Sequence, residues 1–137
     1  DILFPSGSAK LSTPGQAAIR EVTALLKSLE DRHFQVEGHT DNVPIKSSSF
    51  PSNWELASAR ATSVLATMLD AGFPAHRISA ASYGDTQPVA DNATPEGKNQ
   101  NRRIAIVVVP DLSGLPGFDE LSKISEEPSA ETKPQNP

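Results

Sequence analysis

Residues 33–61, HFQVEGHTDNVPIKSSSFPSNWELASARA, change their hydrophobic period partway along. From His33 to His39 apolar and polar residues alternate, with Phe34 and Val36 on one side and Gln35, Glu37 and His39 on the other. A period of two is that of a half-buried strand. From Ser52 the apolar residues return at helical spacing, and Ala57, Ala61, Val64, Leu65 and Met68 form one buried face. Ser52-Asn53-Trp54-Glu55 opens that helix as a capping box, a hydroxyl followed three residues later by a carboxylate. Gly72 ends the helix and Pro74 enforces the break. A strand that feeds a helix and then returns to a strand implies a sheet with helices packed against it.

The same logic extends in both directions. Thr13-Pro14-Gly15-Gln16 predicts an N-cap, a proline at the first helical position and a capping-box glutamine. Ile19, Val22, Leu26 and Leu29 continue at helical spacing, and this helix is expected to end near Glu30. Ile78 to Tyr83 reads as a short strand, and Thr94-Pro95-Glu96 starts a short third helix. Ile104 to Val109 is an unbroken apolar run, which suits a central strand covered on both faces. A further strand at Asp1 to Phe4 completes a βαβαβαβ order. The expected fold is a two-layer α/β sandwich with a four-stranded sheet and helices mainly on one face.

The 137 residues carry a net charge of −5, unevenly placed. Residues 1–110 hold 11 acidic and 10 basic side chains, a balance of −1, while residues 111–137 hold six and two, a balance of −4. The body is therefore nearly neutral, without the clustered Lys and Arg that phosphate neutralisation needs, which argues against nucleic acid as a partner. Cysteine is absent, which excludes disulfides, zinc-thiolate sites, iron–sulfur clusters and a thiol nucleophile. No cofactor box is visible. No apolar run approaches the roughly 20 residues needed to cross a bilayer. The start at Asp1, with no leader-like region, reads as a processed or excised piece. The domain is assigned to residues 1–110. Residues 111–137 form an acidic tail rich in Pro, Ser and Glu, mostly disordered, with one amphipathic turn at Phe118, Leu121 and Ile124.

Chemistry is sought at strand ends, where open α/β sheets bind ligands. Gly38-His39-Thr40-Asp41-Asn42 closes the 33–39 strand, and the serine-rich loop after it is an adaptable rim. Asp41 and Asn42 are good turn formers, so the segment is either a turn or a ligand contact. His39 and Asp41 could share a metal, but a third ligand at suitable spacing is missing. No G-x-S-x-G is present, and nothing marks Asp41 or Asp85 as a glycosidase carboxylate. Arg60 lies on the margin of the apolar helix face. It is either a snorkelling side chain or a guanidinium held rigidly beside the Asp41 loop. Asn53, near the helix start, points toward the same loop. Asp41 and Arg60 together either form a salt bridge or clasp a zwitterion, the carboxylate taking an ammonium and the guanidinium a carboxylate.

GHTDNVPI at 38–45, SNWELASARA at 52–61 and the NRRI at 101–104 that opens the last strand resemble the OmpA-like peptidoglycan-binding domain. LFPSGSA at 3–9 and the SNWEL form resemble, within that family, flagellar stator B subunits of MotB type. The resemblance covers about residues 2–109. It implies a mixed sheet and a non-enzymatic, periplasmic domain of a protein anchored in the inner membrane. Its ligand would be peptidoglycan, held without covalent bonds through the diaminopimelate stem peptide. Asp41 and Arg60 would grip the amino and carboxylate groups of diaminopimelate, with Asn53, Arg102 and Thr40 lining the same site. No metal or cofactor is implied. A stator A subunit would be a partner through membrane segments that these residues do not include, and a homodimer is implied as well. The alternatives are an outer-membrane anchor of OmpA or Pal type, or a peptidoglycan hydrolase.

Overall fold

The computed structural model describes residues 3–29, 31–110 and Gly117. Six elements follow in the order α1 (Thr13–Lys27), β1 (His33–His39), α2 (Asn53–Asp70), β2 (Ile78–Gly84), α3 (Pro95–Asn101) and β3 (Arg103–Val109). A single 3-10 turn, Ala75–Arg77, leads into β2. The sheet is mixed, in the order β2-β1-β3. β1 is parallel to β2, with Phe34 opposite Ile78, and antiparallel to β3, with Phe34 opposite Val108. The parallel pair needs a crossover connection, and α2 provides it.

Cap chemistry sets the helix starts. Ser52 caps α2, its hydroxyl accepting from the Trp54 N–H at 3.2 Å and donating to Glu55 Oε1 at 2.7 Å. Thr94 caps α3, accepting from the Gly97 N–H at 3.0 Å. At α1 the cap is Ser12 rather than Thr13, because Ser12 is the residue with extended backbone and its Oγ accepts from the Gly15 N–H at 3.0 Å. α1 also closes at Lys27, short of Glu30, where the Ser28 hydroxyl donates to the Leu25 carbonyl at 2.6 Å. α2 closes at Asp70 with Ala71 as its C-cap, and Gly72 just beyond takes a φ of +94°, which suits a residue without Cβ.

Phe34 and Val36 of β1 meet Ala61, Val64 and Met68 of α2, joined by Ile19, Phe4, Leu11 and Phe73. Gly38 permits this approach. A Cβ there would lie 2.1 Å from the Ala57 carbonyl oxygen, so only glycine lets α2 rest on β1 at this point. The close packing sets the start of α2 beside the end of β1.

Two expectations about the sheet are corrected. The described residues form three strands, not four. Leu3 and Phe4 make a bend; Asp1 and Ile2 lie outside the described residues. Pro5 has no N–H to give a ladder, and the Leu3 carbonyl accepts from the Ser12 N–H at 2.8 Å, so the segment ties itself to α1 while Phe4 enters the core. The apolar run in β3 is not central either. Among the described residues β1 is the middle strand and β3 an edge strand, and Val107, Val108 and Val109 are 36%, 52% and 40% exposed. Valine suits any pleated surface, so its run marks strand and not centrality. The amphipathic turn and the disorder expected in the tail lie outside the described residues.

Candidate functional site

Beyond His39 the β1–β2 pairing continues for one more bond, from the Thr40 N–H to the Gly84 carbonyl at 2.9 Å. The Thr40 hydroxyl donates to the Asp41 carbonyl at 2.8 Å. The chain then turns at Asp41, whose Oδ1 accepts from the Val43 N–H at 2.9 Å, an Asx turn. Oδ2 of the same buried carboxylate accepts from Arg102 Nη1, which reaches it from the corner between α3 and β3. Asp41 is thus a turn residue and a charged wall of a cleft at once.

Asn53, the first residue of α2, donates from Nδ2 to the Val43 carbonyl at 3.0 Å and sets the loop's exit. Two turns further on, on the same side of α2, Arg60 is buried rather than snorkelling. Its Nε donates to the Ser8 carbonyl at 2.8 Å and its Nη2 to the Pro5 carbonyl at 3.1 Å, with the guanidinium 5.0 Å from the Phe4 ring centroid. Burial pushes its pKa below the ordinary arginine value, the neighbouring Arg102 adds to this, and Asp41 opposes it. An arginine so held stays charged and keeps its fork in one orientation.

These side chains line one cleft of about 500 Å³. Thr40, Asp41, Asn53, Arg60 and Arg102 all contribute, so the five candidates are brought together from β1, α2 and the α3–β3 corner. Ser6 and Gly7 also line it, and Val43, Pro44 and Ile45 give it an apolar border. Further along the same loop the Ser47 N–H donates to the Phe50 carbonyl at 3.1 Å and closes a turn. His39, weighed with Asp41 as a metal ligand, belongs to the other side of the strand. It stacks on Tyr83 with 5.3 Å between ring centroids, and its Nε2 lies 3.3 Å from Glu37 Oε1. Asp85 is exposed.

The salt bridge open to Asp41 is made with Arg102. Sequence reasoning attached Arg102 to the site only by resemblance, because the contact joins residues 61 apart. It missed Lys98 altogether. Lys98 lines the cleft, its Nζ 3.2 Å from Asn42 Oδ1 and donating also to the Asn92 carbonyl. The signal was available: Lys98 stands four residues before Arg102, the spacing that puts two side chains on one face of a helical turn.

Residues 3–102 match the OmpA family. Motility protein B of Bacillus subtilis (strain 168) is 37% identical over 110 residues, which are 80% of this chain and 42% of that protein. The chain thus spans well under half of that relative. The crystal structure of the periplasmic domain of Helicobacter pylori MotB superposes with a TM-score of 0.75 at 29% identity, covering 98% of this chain and 80% of that one. The cell wall anchor of the type VI secretion system (T6SS) from Pseudomonas aeruginosa gives a TM-score of 0.74 at 37% identity, covering 81% and 77%.

Proposed function

The chain belongs to the OmpA family, and on that premise we propose that it is a non-enzymatic, periplasmic peptidoglycan-binding domain that anchors a MotB-type flagellar stator to the cell wall. The cleft takes the diaminopimelate side chain of the stem peptide. Asp41 accepts hydrogen bonds from its ammonium, and Arg60 donates to the carboxylate on the same carbon. Arg102 and the Val43 N–H use one lone pair on each Asp41 oxygen, which orients the carboxylate and leaves further lone pairs for the ligand. Thr40 and Asn53 hold the loop that carries Asp41.

The observation that carries this reading is the meeting of a buried carboxylate and a buried guanidinium in one cleft, each held by backbone groups before any ligand arrives. Preorganised charges need little reordering on binding, and a zwitterion matches both. The likeness to a cell wall anchor and to MotB supports the same assignment. In the whole protein the domain would follow an inner-membrane segment that pairs with a stator A subunit, and two copies would act together.

The test is retention on insoluble sacculi. Asp41→Asn keeps the side-chain shape and its turn acceptor but removes the charge, and is expected to cut retention about tenfold, the loss of one charge-assisted bond. Wild-type retention by a folded Asp41→Asn chain overturns the assignment.

A further inference from the structure

We infer that Lys98 is a specificity residue of the cleft, taking a second carboxylate of the stem peptide apart from the one offered to Arg60. The carboxylate meant is that of the glutamate preceding diaminopimelate. The inference rests on the stem-peptide reading above and extends it to a ligand group that reading leaves unmatched.

The charges in the cleft do not balance. Asp41 is neutralised within the protein by Arg102. Lys98 lines the same cleft, and its ammonium donates to two neutral oxygens, Asn42 Oδ1 and the Asn92 carbonyl. No carboxylate partner of Lys98 occurs among the described residues. Asp41, Arg60, Lys98 and Arg102 together carry a net charge of +2, and a zwitterionic carbon, which brings one charge of each sign, leaves that excess in place with Lys98 unmatched. Enclosure strengthens any attraction for a further anion, because water is partly displaced. A ligand with one more carboxylate reduces that excess and gives Lys98 a partner.

Lys98 also stands on a rigid base. The buried Asn101 amide fastens α3 to the preceding loop. Its Oδ1 accepts from the Val89 and Ala90 N–H groups at 2.8 and 3.0 Å, and its Nδ2 donates to the Ala90 carbonyl at 3.0 Å and Asn92 Oδ1 at 2.7 Å. Gly97 lies so close to Asp91 that a Cβ would sit 1.7 Å from its carbonyl oxygen. The stem of Lys98 therefore rises from a fixed base. Its contact with Asn42, next in sequence to Asp41, sets the ammonium beside the proposed diaminopimelate position. A ligand one residue longer than the zwitterionic centre reaches it.

The experiment titrates the 137-residue chain and its Lys98→Met variant with two tripeptides. One is L-Ala-γ-D-Glu-meso-diaminopimelate; the other has the glutamate α-carboxylate replaced by an amide. The wild type is expected to favour the free acid about tenfold, the equivalent of one charge-assisted contact. Lys98→Met is expected to bring that ratio to about one. A wild-type ratio near one overturns the inference and leaves the cleft assignment standing. Equal weakening of both tripeptides by Lys98→Met makes Lys98 a staple between loops and also overturns it. Failure of the wild type to bind either tripeptide overturns the stem-peptide reading and this inference with it.

Discussion

Arg102 and Asp41 form an ion pair across 61 residues of sequence, Nη1 to Oδ2, while the other Asp41 oxygen holds the turn at Val43. One guanidinium therefore supports both the charge and the shape of the proposed ammonium site. Arg102→Met is expected to weaken stem-peptide binding about tenfold. It should also cost about 1 kcal/mol of stability, a modest figure because the arginine is partly exposed. Calorimetric titration and chemical denaturation check the two numbers.

Arg60 is expected to be structural as well as ligand-facing. It fastens the 5–8 turn through two carbonyls and lies over Phe4. Arg60→Ala leaves those carbonyls short of donors and opens space in the core. A loss of about 2–4 kcal/mol is expected in urea denaturation. Arg60→Lys keeps the charge but cannot reproduce the fork, so it should retain more stability than alanine and still bind poorly.

Gly38→Ala tests the packing that brings α2 to the end of β1. The added methyl meets the Ala57 carbonyl oxygen at 2.1 Å, and backbone must move to relieve it. A loss of about 2–4 kcal/mol is expected, with a thermal midpoint lower by several degrees. A variant as stable as the wild type would show that the helix is not seated there.

His39 gives the domain an acid-sensitive contribution. Burial holds its imidazole below the ordinary value of 6.5; Arg103 acts in the same direction, and the Glu37 hydrogen bond opposes both. Its buried Nδ1 has no hydrogen-bond partner among the described residues. The folded pKa is depressed, so the unfolded chain takes up the proton first as pH falls. The stability due to neutral His39 is then full above about 6.5 and is lost as pH drops below it. Denaturation between pH 7 and 5 should show a shallower decline for His39→Phe, which keeps a ring against Tyr83 and cannot titrate. Parallel slopes for the two chains would contradict this.

Much of the fold was legible wherever local chemistry decides the outcome. The alternation from His33 to His39 marks β1 to the residue, the cap at Ser52 is observed where the hydroxyl-to-carboxylate spacing put it, and α3 opens at Thr94-Pro95-Glu96 as read. Sheet order was not legible. A valine run reads alike in a central strand and an edge strand, and the turn at 3–8 depends on carbonyls claimed by Ser12 and Arg60 from distant positions. The same limit applies to the cleft. Asp41, Asn53 and Arg60 stand out locally, whereas the Arg102–Asp41 pair and the placement of Lys98 arise from how the α3–β3 corner meets the β1 loop.

The most direct measurement of the central claim compares two stem tripeptides that differ only in the third residue, meso-diaminopimelate or L-lysine, by calorimetric titration of the wild-type chain. Lysine keeps the ammonium for Asp41 and lacks the carboxylate for Arg60. The account predicts at least about tenfold tighter binding of the diaminopimelate peptide, the equivalent of one charge-assisted hydrogen bond. Equal affinity for the two peptides would contradict it, because the buried guanidinium of Arg60 would then have no part in holding the ligand.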